Sequence, residues 1–313
     1  MDLRPVETYR DKILANCKKI ILGKDEVILH VLECFLCGGH ILLEDIPGTG
    51  KTMLLRAFAK STGLQFRRIQ FTPDLLPSDL TGINFYNMKT QEFEFRPGPL
   101  FAQVILADEI NRATPRTQAS MLEAMEEKQI TIDGTTYPMM TPFMVMATQN
   151  PLESFGTFAL PEAQTDRFFM RLKMGWMDRE QEAAVIARKP ASVLVSELGC
   201  VVSEEETKQV QEIIRSVAVS EEIVSYMMDL ITESRNGKYG MYGVSARGGI
   251  ALYSASQAHA ALNGRSYVIP EDVRDTAVPV LAHRIGGSSM SMEESEKKVR
   301  QILDAVRVPT EEL

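Results

Sequence analysis

The chain has 313 residues, a net charge of -8, 44% hydrophobic and 24% charged residues, a make-up that fits a globular protein with room for two domains. No run approaches the roughly eighteen apolar residues that a membrane-spanning helix needs, and the first residues, with Asp2, Arg4 and Glu7, lack the apolar core of a signal peptide, so the expected location is cytoplasmic. The acidic balance offers no general attraction for nucleic acid, and the basic pairs Lys18-Lys19 and Arg67-Arg68 read as solvated faces.

Apolar periodicity predicts a helix over about 5–20, a turn at Ile21-Leu22-Gly23-Lys24 and a second helix over 28–37. That second helix holds Cys34 and Cys37 among Val31, Leu32, Phe35 and Leu36. With no second cysteine pair and no nearby histidine framework to complete a zinc site, these thiols are expected to be buried packing groups rather than redox centres. The four histidines, His30, His40, His259 and His283, are scattered and suggest no ligand cluster.

The apolar run Ile41-Leu42-Leu43 predicts a strand, and Glu44-Asp45-Ile46-Pro47-Gly48-Thr49-Gly50-Lys51-Thr52 follows it directly. Strand, glycine-bearing loop and helix in this order build a phosphate cradle. Gly48 and Gly50 let successive backbone N–H groups turn inward on an anion, Lys51 can reach β- and γ-phosphates, and the Thr52 hydroxyl can ligate Mg²⁺. The helix over 52–60, with Leu54, Leu55 and Phe58 on one face, would turn its N-terminus toward the phosphates. Pro47, Thr49 and Met53 complete the set expected against the nucleotide. The usual pattern opens with glycine where this chain has Asp45, so the match is to Gly50-Lys51-Thr52 and its context.

Further strands near 66, 104, 143 and 168 alternate with helices, which predicts a parallel sheet with right-handed crossovers. The run 104–109 ends in two acids, where the ligand crevice of such a sheet lies. Asp108 is expected to hold the metal's water shell, and Glu109 to orient and deprotonate the attacking water. A helix over 114–127 carries Gln118, Met121, Leu122 and Met125 on one stripe, read as core packing. Two hairpins interrupt the minimal fold, 83–88 with 91–96 around Lys89-Thr90, and 130–132 with 135–137 around Asp133-Gly134. The strand over 143–148 ends at Gln149-Asn150-Pro151, where the Asn150 amide could position water against a γ-phosphate. Arg167, just before the apolar run 168–174, is a planar, permanent cation suited to phosphoryl-transfer charge.

From Trp176 onward the pattern is helical, with helices expected over 178–188, 203–217, 220–235, 245–263 and 270–284, and a final amphipathic one after Ser288 that ends near Val308. Lys189-Pro190-Ala191-Ser192 reads as a polar linker. Ser245 is a candidate N-cap, and Arg247 a second candidate phosphate sensor. The expected division is an α/β nucleotide-binding core over 1–177 and a helical lid over 178–313.

The order of these pieces resembles the AAA+ ATPases and, within them, the MoxR group. The resemblance spans nearly the whole chain and rests on the stretch 44–52, on Leu106-Ala107-Asp108-Glu109-Ile110-Asn111-Arg112-Ala113, on Ala147-Thr148-Gln149-Asn150-Pro151, and on Leu160-Pro161-Glu162-Ala163-Gln164 with Asp166-Arg167-Phe168. MoxR proteins also tend to carry Asp in place of the first glycine. The family often reads Gly-Thr-Tyr-Pro-Leu and Ser-Pro-Arg-Ala where this chain has Gly156-Thr157-Phe158-Ala159-Leu160 and Ser245-Ala246-Arg247-Gly248.

The resemblance implies an AAA+ P-loop core with a five-stranded parallel sheet between helices, two hairpin inserts projecting toward a central pore, and an all-α lid. It implies Asp108 and Glu109 as the Walker B pair, Asn150 as sensor 1, Arg167 as arginine finger, Arg247 as sensor 2, and Gly23 beside the adenine. It further implies Mg²⁺-dependent ATP hydrolysis in a ring-shaped homo-oligomer, expected to be a hexamer, because the finger reaches the neighbour's nucleotide. The work done would be chaperone-like remodelling or maturation of a client protein, with von Willebrand factor A domain proteins as the client type suggested by the family. Nucleic-acid remodelling and a nucleotide-gated scaffold are the competing readings. The acidic balance weighs against the first, and Glu109 with Asn150 against the second.

Overall fold

The computed structural model describes residues 1–45, 48–149, 156–240, 242–286 and 290–309. Helices α1 (Arg4–Lys18) and α2 (Asp25–Leu36) lead into β1 (Ile41–Glu44), α3 (Lys51–Thr62), β2 (Phe66–Gln70) and the short α4 (Pro77–Thr81). A hairpin, β3 (Gly82–Asn87) and β4 (Glu92–Pro97), precedes β5 (Val104–Asp108) and α5 (Pro115–Glu127). A second hairpin, β6 (Gln129–Ile132) and β7 (Thr135–Pro138), comes before β8 (Met144–Gln149), the four-residue α6 (Glu162–Thr165) and β9 (Met170–Leu172). Helices α7 (Arg179–Ala187), α8 (Ala191–Ser196), α9 (Glu204–Arg215), α10 (Glu221–Ser234), α11 (Ala246–Leu262), α12 (Pro270–Leu281) and α13 (Met292–Ala305) complete the described chain.

Five strands pair in parallel in the order β2-β5-β8-β1-β9. The apolar runs of β1, β5 and β8 have no polar alternation because both faces are covered. Ile41 and Leu43, Val104 and Leu106, Met144 and Met146 enter one core cluster, while Leu42, Ile105 and Ala107, Val145 and Ala147 enter the other. The first cluster holds α1, α2 and α3 and continues into the lid helices; the second holds α5 and the bases of the hairpins. At the sheet edge, β2 exposes Arg67, Arg68 and Gln70, polar side chains that discourage pairing with another chain.

Both hairpins form where they were expected. Asp133 and Gly134 take positive φ, 49° and 81°, as a two-residue type I′ turn requires. Phe95 of β4 stacks on Tyr137 of β7 with centroids 4.3 Å apart, so the two inserts lean on each other. Several boundaries differ from expectation, among them the start of α2, at Asp25 rather than 28. The stretch read as a linker from Lys189 forms α8, because Pro190 fits the helix entry and Val195 is buried. The helix from Pro270 stops at Leu281 and tightens into a 3₁₀ turn over Ala282–Arg284, and the last helix ends at Ala305. Among the described residues no helix is long and apolar enough to cross a membrane.

Two of the scattered histidines come together. Glu33 of α2 is fully buried and its two oxygens accept from His30 Nδ1 and from His259 Nδ1 of α11, each at 2.7 Å. The other ring nitrogens face further carboxylates: Glu26 lies 3.8 Å from His30, and Asp275 and Asp272 lie 3.5 and 4.0 Å from His259. Arg265 also pairs with Asp272. Burial opposes protonation of His30, but the bonds and charges of Glu26 and Glu33 outweigh it and push it up to about 9. His259 is raised for the same balance of reasons, burial against Glu33, Asp272 and Asp275. Both histidines therefore hold their protons more tightly folded than unfolded. Their stabilising contribution is complete below about pH 6.5 and is lost as pH rises through their raised folded values, for His30 about 9. Thermal unfolding across this window is expected to show Tm falling with pH, and Glu33→Gln should flatten that slope. An unchanged slope in the variant would refute the linkage.

Candidate nucleotide cleft

The parallel register brings the C-terminal ends of the strands to one edge, with Glu44 opposite Gln149 and Gln70 opposite Asp108. There a cleft of about 630 Å³ opens between the loop residues Gly48, Gly50, Lys51, Thr52 and Met53 and the strand-end residues Asp108, Glu109, Thr148 and Gln149. Gly48 and Gly50 have φ of 88° and 92°, a region that side-chain-bearing residues rarely adopt. A Cβ at either would meet no atom within 4 Å, so the loop's curvature, not crowding, demands glycine here. Gly50 ends this turn as the N-cap of α3, which begins at Lys51 and so aims its first free N–H groups into the cleft. Lys51 Nζ donates to the Asp45 carbonyl at 2.9 Å, and burial lowers its pKa despite the nearby Asp45, Asp108 and Glu109.

The departure from the usual loop pattern has a structural reason. Asp45 is 4% exposed, and its Oδ2 accepts the backbone N–H groups of Met174 at 2.7 Å and Gly175 at 2.9 Å. The carboxylate thus ties the start of the phosphate loop to the segment that leaves β9. Asp45→Gly, which matches the commoner pattern, leaves those two amides without their acceptor and is expected to destabilise the protein by about 2–4 kcal/mol. Denaturant unfolding measures this; a change under roughly 0.5 kcal/mol would show that water replaces the carboxylate without loss.

The acid pair is held from several sides. Asp108 Oδ1 accepts from Thr148 Oγ1 at 2.7 Å, and its Oδ2 from Arg68 Nη2 at 2.6 Å. Glu109 stands in the left-handed region, φ 57°, with its N–H on Thr148 Oγ1 at 2.8 Å. Its Oε2 takes Gln70 Nε2 at 2.7 Å and Arg112 Nε at 3.1 Å. Arg68, Gln70, Arg112 and Thr148 were not expected in the cleft. Arg68 in particular is no merely solvated face, since it bonds to the carboxylate expected beside the metal.

Arg167, expected to serve a neighbour's nucleotide, and Arg247 do not line this cleft. Arg167 precedes β9, whose neighbour Phe169 bonds to the His40 carbonyl ahead of β1, so it stands at the strand-start edge of the sheet. Its Nε pairs with Glu126 Oε2 of α5 at 2.9 Å, and Arg247, from the first turn of α11, pairs with the other oxygen of the same carboxylate. Ser245 does cap α11, accepting from Gly248 N at 3.2 Å. Its hydroxyl also donates to Asp166, the residue before Arg167. Gly23 does not line the cleft and backs onto the Gln181 side chain of α7. Thr49 sits within the loop, while Pro47 and Asn150 lie outside the described residues.

A parallel sheet with a phosphate loop after its first strand, an acid pair at the end of β5 and a helical lid define a P-loop ATPase with the AAA+ fold. Comparisons with known proteins agree. Residues 40–170 match the ATPase family associated with various cellular activities, and residues 232–306 match the AAA lid domain. The chain is similar to the YeaC protein of Bacillus subtilis, 44% identical over 99% of this chain and 97% of that one. It is also similar to Chaperone MoxR1 of Mycobacterium tuberculosis, 38% identical over 88% of this chain and 75% of that one. The crystal structure of a proposed ATPase from Cytophaga hutchinsonii superimposes with a TM-score of 0.87, at 38% identity, covering 98% of this chain and 97% of that one. The chain belongs to the MoxR family of AAA+ ATPases.

Proposed function

We propose that this chain binds ATP with Mg²⁺ in the cleft, hydrolyses it at seams between subunits of a ring, and uses the cycle to remodel or mature client proteins. The residues present fit such a ligand: the curved loop with Lys51 suits a polyphosphate, and the Asp108 carboxylate across from the Thr52 hydroxyl suits a hard cation. Bound Mg²⁺ would neutralise charge building on the phosphates. In this reading Pro47, Gly48, Thr49, Gly50, Lys51, Thr52 and Met53 hold the nucleotide, with Gly23 toward the adenine. Thr52 and Asp108 hold the metal, Glu109 takes the proton of the attacking water, and Asn150 positions that water. Residues 1–177 form the nucleotide-binding unit and 178–313 the lid.

The observation that carries the ring is the position of Arg167. It stands a strand length, about 13 Å, from the edge where the phosphate loop lies, so its guanidinium is suited to a neighbour's phosphates rather than its own. Arg247 shares its anchor, Glu126, and so belongs to the same neighbour-facing group. A closed ring of identical subunits, six by family resemblance, repeats this head-to-tail seam. Native mass spectrometry is expected to show ATP and Mg²⁺ driving assembly; a monomer at saturating nucleotide would overturn the ring.

The chaperone reading is supported by the name of the M. tuberculosis relative, Chaperone MoxR1, and by the first hairpin, where Met88 and Phe93 are 86% and 74% exposed. By family resemblance the client type is a von Willebrand factor A domain protein, and the setting is the cytoplasm.

A further inference from the structure

Arg68 reaches the cleft from an edge strand. β2 pairs only with β5, and in their register Arg68 stands opposite Leu106 while Gln70 stands opposite Asp108. Ile69 enters the second core cluster, so Arg68 and Gln70, at the alternate positions, turn to the sheet face that carries α3. The long side chain of Arg68 leans forward along β5, and its Nε and Nη2 donate to one and the same oxygen, Asp108 Oδ2, at 3.1 and 2.6 Å. The other oxygen, Oδ1, accepts from Thr148. A carboxylate oxygen offers two lone pairs, so one guanidinium fills Oδ2 and matches the Asp108 charge.

This pair bears on how the cleft takes a metal. Mg²⁺ demands oxygen ligands in near-ideal octahedral geometry and keeps much of its own water. A guanidinium forked on Oδ2 denies that oxygen both to the ion and to its waters, and it repels a second positive charge. The two partners are not equally held. The Asp108 side chain is 14% exposed, whereas that of Arg68 is 46% exposed on a strand with no neighbour on its outer side. Leaving Asp108 would not strand Arg68, because Nη2 also donates to Gln70 Oε1 at 2.8 Å and the half-exposed head meets solvent.

We propose that Arg68 is an internal competitor of Mg²⁺ at Asp108: metal is admitted by exchange with the guanidinium, which falls back on Gln70 and water, so Arg68 sets the magnesium concentration at which the cleft holds nucleotide tightly. The inference rests on the reading of the cleft as a Mg²⁺-nucleotide site. The test is calorimetric measurement of ADP affinity for the full chain in EDTA and across a magnesium titration. Arg68→Met, which keeps the stem and removes the fork, should lower the midpoint in Mg²⁺ by about three- to tenfold, with ADP affinity in EDTA within about threefold of wild type. Arg67→Met, the same loss of charge on the opposite face of β2, should leave the midpoint unchanged. Arg68→Gln should act as Arg68→Met does, and it decides if the methionine variant fails to fold. A smaller fall or a rise in the midpoint, an equal fall in Arg67→Met, or a greater loss of affinity in EDTA, which would put Arg68 on the phosphates, would each overturn the proposal. A wild-type ADP affinity indifferent to Mg²⁺ would instead refute the cleft reading itself, and the proposal with it.

Discussion

Replacing Glu109 by glutamine is expected to lower ATP turnover by about two to four orders of magnitude while ATP affinity stays within a few-fold. The position of this carboxylate is over-determined, by a left-handed backbone fixed to Thr148 and by donors from Gln70 and Arg112 on Oε2. Glutamine keeps an oxygen for those donors and keeps the side chain's size, so the fold and the loop should persist. What it loses is a site for a proton from water. Phosphate release, set beside equilibrium binding of a fluorescent nucleotide, separates the two effects; turnover within about fivefold of wild type would remove Glu109 from the proton-accepting role. A variant that binds and does not hydrolyse would also keep clients bound.

Arg167→Ala is expected to cut kcat by roughly a thousandfold with little change in KM, because the guanidinium is asked to meet charge that develops only as the phosphoryl group transfers. In the proposed ring, its place at the strand-start edge would make the effect one between subunits. Mixing Arg167→Ala chains with Lys51→Ala chains should therefore restore part of the activity, since some seams then pair an intact loop with an intact arginine. Rescue needs no refolding, only subunit exchange. Mixtures as inactive as either variant alone, in rings shown to exchange, would place Arg167 on its own subunit's nucleotide.

Much of the fold was legible because its signals are local. Uninterrupted apolar runs marked strands covered on both faces, Asp133-Gly134 marked a hairpin turn, and Gly48 and Gly50 marked a loop whose φ values only glycine adopts readily. The helix from Ala191 escaped because its six residues carry too few periods to register and begin beside a proline. Contacts between distant positions were beyond reach. Nothing near Arg68 or Gln70 announces that β2 lies beside β5 and places both against an acid pair about forty residues later. His30 and His259 looked isolated because the carboxylate they share lies on only one of their two helices. Asp45 was visible as a deviation, yet its purpose depends on the amides of Met174 and Gly175, which only the folded chain brings near.

The carboxylate of Glu126 has two oxygens, one spent on a residue of the core and one on a residue of the lid. Such a shared counter-ion makes the two cations rivals: drawing either toward an incoming phosphate deepens the hold on the one that stays behind. Because α11 carries its rival on a body that also grips Asp166 through Ser245, a tilt of that body changes how readily the core arginine lets go. In the proposed ring, one subunit's posture would thereby set how readily the next subunit's phosphate bond breaks.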